Sequence, residues 1–366
     1  MVIAAAARAA AQDVVPPPAI QLTLPAAHER WRAAAMEAAE EAAATGRDWL
    51  GVHRSGAVGA IAIDPPIWQG RGAMVVERQA ATAVIRSWWP PQLPDQRAAA
   101  LLDGFAAHLQ GHVIERLFDR RYLRTAYSVE SLPFFGAHVI WSVPTLRLSR
   151  WSAPRHGHGD RVIARYAALF ATLERWLGRP ALQAAMYEVA RMPAAPITAA
   201  GIVTTITQSS GQDLAWLFSA AADPAVTFDY AVATLSSTPA RDCASPCFDT
   251  EVTVRRLGDG LFSGRSSARA GQFESGDAMA LRVTFANGEQ AWAWWDGRDR
   301  ARTVRFRGPA TATAAHLDPE RVLVLDANYL NNAIVPASPT NAPVGKWLAR
   351  WIVWMQNAAL SYGFFA

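Results

Sequence analysis

The segment QRAAALLDGFAAHLQGHVIERL, from Gln96 to Leu117, decides the predicted fold. Its apolar side chains recur at every third or fourth position, which is the spacing of one face of an α-helix. They are Leu102, Phe105, Leu109, Val113 and Leu117. The segment therefore predicts a long helix with its apolar face turned to a core.

Helices are also predicted on both sides of this segment. On the N-terminal side, His28 to Ala43 is rich in helix formers and is predicted to end at Gly46. Val75 to Trp89 is predicted to be a helix stopped by the two prolines that follow it. Between them, Trp49 to Ile67 alternates apolar and small residues and predicts one or two strands. Three more predicted helices span Arg161 to Leu177, Ala181 to Arg191 and Thr198 to Ser209.

From Phe228 onward the pattern changes to short segments of alternating apolar and polar residues. Asn-Gly, Asp-Gly and Arg-Gly turns separate them, which is typical of antiparallel strands. Six such segments predict a small, immunoglobulin-like antiparallel sandwich. They are FDYAVATL (228–235), TEVTVRRL (250–257), MALRVTFANG (279–288), QAWAWWDG (290–297), RTVRFRG (302–308) and RVLVLDAN (321–328). The predicted fold class is α+β.

The composition is that of a globular protein and excludes several classes of function. Of the 366 residues, 51% are hydrophobic and 18% are charged, enough for a large buried core. The net charge of +4 comes from 35 basic and 31 acidic residues without a basic run, so nucleic-acid binding is not expected. The sequence contains neither a G-x-S-x-G nucleophile motif nor a nucleotide-binding glycine pattern, so no cofactor is predicted.

The last segment of the sequence, KWLARWIVWMQNAALSYGFFA (346–366), is rich in aromatic residues. A full membrane span needs about 20 mostly apolar residues, so this segment is marginal as a span. It also suits a helix in the membrane interface, a helix docked on partner subunits, or one packed on its own domain. The residues predicted to contact a membrane or a partner are Trp347, Trp351, Trp354, Tyr362, Phe364 and Phe365.

Two cysteines, Cys243 and Cys247, are the only ones in the chain. Three residues separate them in a loop that contains a proline, and a disulfide could bridge that spacing if the loop folds back. Two free thiols are the alternative. Two cysteines alone cannot complete a closed zinc site with four ligands.

Several phrases together resemble the aminopeptidase N-like zinc peptidases, the gluzincins. The helical phrases are TAVIRSWWP (82–90), LLDGFAAHL (101–109), VIARYAALFATLERWLG (162–178) and SGQDLAWLF (210–218). The sandwich phrases are VTVRRLGDG, WDGRDR and LDPERVLVLDANYLNN. The resemblance covers about residues 45 to 335 and implies a gluzincin-like helical body followed by a β-sandwich. The hydrophobic C-terminal helix is predicted separately, from the apolar segment 346–366.

The resemblance fails at the residues that it would make catalytic. In such enzymes two histidines one turn apart and a glutamate from the next helix hold zinc, while a second glutamate is the general base. The positions that match the histidines are Thr82 and Arg86, the base falls on Ala83 and the ligand glutamate on Asp103. The position of the catalytic tyrosine falls on Ile163. The sequence therefore predicts a pseudoenzyme without catalytic residues.

A register-free observation supports that prediction. Between His53 and His108 there is no histidine, so no H-E-x-x-H motif can precede the LLDGF phrase. His108 and His112, four residues apart on one helical face, are a weak candidate metal half-site. A solvated polar face is the alternative, and no bound metal is predicted.

Four regions are predicted. Residues 1–45 form an N-terminal segment and helix, 46–225 a degenerate gluzincin-like domain, 226–335 the sandwich, and 336–366 the Trp-rich C-terminal helix. The predicted function is a structural or stabilising subunit of a membrane-associated protein complex on the extracytoplasmic (periplasmic) face, contacting the membrane through the C-terminal helix. The alternatives are a peptide-binding module that uses the former substrate cleft, and a residual metallohydrolase.

Overall fold

A computed structural model describes residues 20–51, 60–62, 75–90, 92–121, 158–193, 197–240, 246–262 and 279–336. Within this part of the chain a helical region is followed by antiparallel strands, which confirms the predicted α+β class. A short strand β1 (Gln21–Thr23) pairs in parallel with β2 (Ala60–Ala62) ahead of the main helices. The predicted C-terminal helix, with Trp347 and the other aromatic residues named for it, lies outside the described residues.

Seven α-helices are found in the described residues. They are α1 (Arg32–Leu50), α2 (Val75–Arg86), α3 (Gln96–Arg121), α4 (His158–Leu177), α5 (Arg179–Arg191), α6 (Ala199–Ser210) and α7 (Ala215–Ala222). A turn of 3-10 helix (Ala26–Trp31) leads into α1. The predicted long helix is therefore present as α3, and its apolar repeat is buried from Leu102 to Leu117.

The end of the first helix was predicted wrongly. Helix α1 runs through Gly46 to Leu50, so Trp49 and Leu50 are helical rather than the start of a strand. Gly46 lies under the indole of Trp88, where a Cβ atom would come within 2.6 Å of ring carbon Cη2. The glycine thus permits close packing of α1 against the end of α2 and does not end the helix. The helix ends at Gly51, whose φ of 75° suits glycine.

The helical core is centred on Phe105 of α3. Its ring lies 5.8 Å from the ring of Trp49, 6.0 Å from Trp89 and 5.1 Å from Phe170, all in edge contacts. All four side chains are buried. Edge-to-face aromatic pairs stabilise a core beyond the area that they bury. This cluster joins α1, α3 and α4, the helices that carry the site described below.

The strands after α7 form two antiparallel sheets. They are β3 (Tyr230–Pro239), β4 (Phe248–Arg256), β5 (Met279–Phe285), β6 (Gln290–Trp295), β7 (Ala301–Gly308), β8 (Ala312–Leu317) and β9 (Ala333–Ile334). One sheet has the order β3-β4-β7 and the other β6-β5-β8-β9. Val252 and Val254 from the first sheet and Leu281 and Val283 from the second are fully buried in one apolar core. The predicted antiparallel sheets are confirmed.

The sixth predicted strand, RVLVLDAN (321–328), is wrong. Val322 and Leu323 are buried, but the Asp318 carboxylate accepts hydrogen bonds from both of their backbone N–H groups. These N–H groups therefore pair with a side chain and not with a neighbouring strand, so the apolar run forms a buried loop. Two strands, β8 and β9, were not predicted. The alanine-rich sequence of β8 has little β-propensity, and the strand is held between β5 and β9.

The helical region and the sandwich meet at Arg165 of α4. Its guanidinium donates to the carbonyl oxygen of Ala220 at 2.9 Å and to that of Val226, which lies just before β3. Burial lowers the pKa of Arg165. Trp176, also on α4, makes an edge contact with Phe262 at 5.5 Å. Arg165 thus ties α4 to α7 and to the chain just before β3, and Trp176 ties it to the segment after β4.

A buried carboxyl group lies in the loop after β8. Burial raises the pKa of Asp326 to about 7, and the nearby Asp229 and Asp318 add to the effect, although N–H groups of Asn328 and Asn332 oppose it. A carboxyl whose pKa is raised by folding stabilises the fold while it is protonated. That contribution is complete below the ordinary value of 3.8 and is lost as the pH rises to about 7.

We expect the free energy of unfolding to fall by about 2 kcal/mol between pH 5 and pH 7 because of Asp326. In Asp326→Asn this loss should disappear, since the amide cannot ionise and can pair with the buried, unpartnered Oδ1 of Asn332. Urea denaturation at both pH values measures the difference. Asp259→Asn, at an exposed carboxylate, is the control and should keep the full loss. If the free energy of unfolding changed equally between the two pH values in all three proteins, the prediction would be wrong.

Cys247 is disulfide-bonded, and the other cysteine of the chain, Cys243, lies outside the described residues. None of the helices in the described ranges is both long and apolar enough to cross a bilayer.

Candidate metal centre

Three side chains from two helices converge on one point. His108 and His112 lie one turn apart on α3, and Glu174 lies on α4. The Nε2 atom of His108 is 2.8 Å from Oε2 of Glu174, and Nε2 of His112 is 2.7 Å from the same oxygen. One ligand atom from each of the three residues lies within 4.8 Å of the others. Three such groups this close together could hold a metal ion.

Aromatic rings hold the two imidazoles in place. The ring of Trp49 stacks on His112 at 5.8 Å with an interplanar angle of 25°, and meets His108 edge-on at 6.2 Å. Phe105 contacts His108 at 6.3 Å from the other side. Because Trp49 and Phe105 are fully buried, the histidine rings have little freedom to turn. The site is thus built into the helical core and is not a flexible surface cluster.

The protonation states of His108 and Glu174 suit metal ligands. Burial lowers the pKa of His108, so its imidazole is neutral, and its side chain is only 7% exposed. Burial alone would raise the pKa of Glu174, but the two imidazoles beside it, those of His108 and His112, hold it well below its usual range. Despite the short distance, Nε2 of His108 makes no well-oriented hydrogen bond. A buried nitrogen without a good partner is what a metal ion would satisfy.

Two more charged groups contact the cluster. Arg179 donates from Nε to Oε1 of Glu174 at 2.7 Å and approaches Nδ1 of His112 at 3.0 Å. The Glu115 carboxylate lies 3.6 Å from the same Nδ1. Burial opposes protonation of His112, but hydrogen bonds to Glu115 and Glu174 raise its pKa. Because a guanidinium can only donate, Nδ1 of His112 accepts from Arg179 here, and Nε2 donates to Glu174. Glu115 lies behind the ring, where a carboxylate could fix the other tautomer, the one in which Nε2 is free for a metal ion.

The cluster opens onto a cavity of about 470 Å³. Small residues of α3 and α4, among them Ala107, Gly111 and Ala168, leave the space between the two helices. Polar residues of the wall are Arg78, His108, His112, Glu115, Glu174, Arg175 and Arg179. A metal ion at the cluster would therefore be accessible to a small ligand.

The positions that the family resemblance assigned to zinc are occupied differently. Nε of Arg86 pairs with Oδ1 of Asp103 at 2.7 Å, and Thr82 and Ala83 on α2 offer no ligand nitrogen. Burial raises the pKa of Asp103, and the adjacent guanidinium opposes that shift. A fixed cation fills the place of a divalent ion, so zinc does not fit there. Ile163 lies on α4, apart from any ligand set in the described residues.

The sequence alone indicated two of the three cluster residues. His108 and His112 were predicted as a weak half-site, whereas Glu174, 62 residues beyond His112, was not predicted at all. The sequence feature that could have identified Glu174 is its position on α4. Glu174 follows the buried Phe170 by four residues, so a carboxylate stands on the apolar face of α4.

Comparison with known proteins supports a peptidase-like fold. The sequence matches no protein-family model and no curated protein. Among solved structures, it is similar to the crystal structure of Legionella pneumophila aminopeptidase A in complex with aspartic acid, with a TM-score of 0.50 and 12% identity. The match covers 84% of this chain but only 36% of that one, so the chain spans about a third of the aminopeptidase. At this identity the likeness concerns the fold.

The prediction of a non-catalytic pseudoenzyme is corrected by these findings. The matching fold is that of an aminopeptidase. The described residues also assemble His108, His112 and Glu174 at a place that the family motif did not indicate. Departures at Thr82, Ala83 and the other motif positions therefore do not show that catalysis has been lost.

Proposed function

We propose that this chain is a divalent-metal-dependent hydrolase whose metal site is formed by His108, His112 and Glu174. The observation that supports the proposal is the convergence of two imidazole nitrogens and one carboxylate oxygen on the wall of a cavity of about 470 Å³. Structural zinc sites are closed by four protein ligands, whereas catalytic sites keep one position open. Two histidines and one glutamate match the catalytic set.

A zinc ion bound there would supply an acidified water molecule and a Lewis acid for a substrate carbonyl. The residues of the chain support that chemistry in separate ways. Arg179 holds Oε1 of Glu174 and leaves Oε2 for the ion. The Glu115 carboxylate borders the same cavity, where it could accept a proton from the bound water.

Under this proposal the chain is a rearranged relative of the aminopeptidase N-like peptidases. The ligands lie between α3 and α4, starting five residues after Asp103, rather than between α2 and α3. Peptides are the substrate class that the peptidase-like fold favours. Attachment to a membrane complex through residues 346–366, and an extracytoplasmic location, stay predictions because that segment lies outside the described residues.

Metal analysis and hydrolysis assays on the full-length protein test the proposal. After dialysis against zinc and then metal-free buffer, about one zinc per chain should remain, and a panel of short peptides should be cleaved in a zinc-dependent way. His108→Gln should lose both properties. His316→Gln, at a half-buried histidine of β8 outside the cavity, is the matched control and should keep both.

Each outcome of this experiment is informative. Zinc retained equally by His108→Gln would place the ion elsewhere and reject the site. If zinc binding requires His108 but no peptide is hydrolysed, the protein binds a metal ion and the proposal of a hydrolase is rejected.

A further inference from the structure

We propose that Arg78 binds a carboxylate group of the substrate, so the cavity selects peptides with a negative charge. This inference rests on the proposed function, because it concerns the ligand of the same cavity. Arg78 lies on α2 and borders the cavity whose opposite helices, α3 and α4, carry His108 and Glu174.

Arg78 is a cation in the cavity wall that forms no ion pair with the described part of the chain. Its side chain is half-buried, and none of the ion pairs or hydrogen bonds found in the described residues involves it. Removal from water lowers its pKa, and only the neighbouring Glu77 opposes this. A guanidinium in such a place loses hydration without gaining a partner, which is unfavourable unless a ligand supplies one. The other guanidinium groups of the cavity differ, since Arg179 pairs with Glu174 and Arg175 donates to the carbonyl of Arg321.

The charge balance of the cavity favours an anion. Three arginines and two glutamates line it, and both glutamates are already engaged by His112 or by the Arg179 guanidinium. A divalent ion bound by His108, His112 and Glu174 would make the charge of the cavity still more positive. Arginine pairs with a carboxylate through two parallel N–H donors, which a neutral amide cannot match. The ligand group is therefore a carboxylate, either the C-terminus of a peptide or an acidic side chain.

Binding of three probe peptides distinguishes these sources. The probes are tetra-alanine with a free C-terminus, tetra-alanine amide, and Ala-Ala-Glu-Ala amide, titrated into zinc-loaded and metal-free protein by calorimetry. We expect at least one carboxylate peptide to bind about tenfold more tightly than tetra-alanine amide. Preference for the free acid assigns the C-terminus, and preference for the glutamyl peptide assigns an acidic side chain.

Variants of Arg78 decide whether this residue is responsible. Arg78→Met keeps the apolar stem but removes the charge, so the preference should vanish while the zinc content is unchanged. Arg78→Lys keeps a cation and should retain part of the preference, which a merely structural role would not explain. Arg97→Met, at an exposed arginine of α3 outside the cavity, is the control and should bind as the wild type does.

Zinc is measured on the same samples, so two failures can be told apart. Wild-type protein without zinc contradicts the proposed function. Zinc-loaded protein that binds all three peptides equally, or a preference that survives in Arg78→Met, overturns the role of Arg78.

Discussion

Replacing Gly104 by alanine should destabilise the protein by at least about 2 kcal/mol, although alanine is the better helix former. Gly104 lies on α3 where this helix crosses α4. A Cβ atom at this position would lie 2.2 Å from Cβ of Tyr166 and 2.9 Å from the backbone carbon of the same residue. Real contacts between such atoms are much longer, and backbone cannot swing away as a flexible side chain can. The two helices would have to separate, which would open the aromatic core around Phe105.

The same helix offers a matched control. Gly111, seven residues later, has no atom within 4 Å of the position of a Cβ. Gly111→Ala should therefore gain up to about 1 kcal/mol, because glycine costs that much in a helix interior. Urea denaturation of both variants measures a difference of about 3 kcal/mol between them. Equal stabilities would show that α3 and α4 do not pack as closely as described.

Glu174→Gln should weaken zinc binding by about two to three orders of magnitude. The variant keeps the size of the side chain but removes the negative charge that faces both histidines. Structural zinc sites with four ligands bind with roughly 10–16 kcal/mol, so one ligand accounts for about 3–4 kcal/mol. Competition with a fluorescent zinc chelator at pH 7.5 gives the dissociation constants.

Glu115→Gln is the matched control for that measurement. Its carboxylate contacts His112 from behind and lies outside the group of three converging ligand atoms. Loss of such an outer partner costs about tenfold in affinity, so the two glutamine variants should differ by at least about tenfold. Similar affinities for both would remove Glu174 from the ligand set. A larger loss in Glu115→Gln would exchange the roles of the two glutamates.

The elements of the fold follow from the sequence wherever the residue pattern is local. The apolar repeat from Leu102 to Leu117 predicted α3, and the alternating segments after Phe228 predicted the antiparallel strands that are found. Predictions failed where a side-chain contact, and not the residue pattern, decides the local structure. Gly46 was predicted to end a helix because the sequence does not show that the indole of Trp88 packs over it. The segment around Val322 was predicted to be a strand from its apolar pattern, but the carboxylate of Asp318 binds the N–H groups that a strand would pair.

The candidate site divides in the same way. A pair of histidines four residues apart lies on one helical face in any α-helix, so sequence by itself determined that His108 and His112 are neighbours. Only the tertiary structure decided that Glu174 faces them, that Arg86 pairs with Asp103, and that a cavity opens beside the cluster. The physical reason is that these contacts depend on how α2, α3 and α4 cross. Their crossing is set by the packing of side chains such as Phe105 and Phe170, whose spacing along the chain carries no record of the partner.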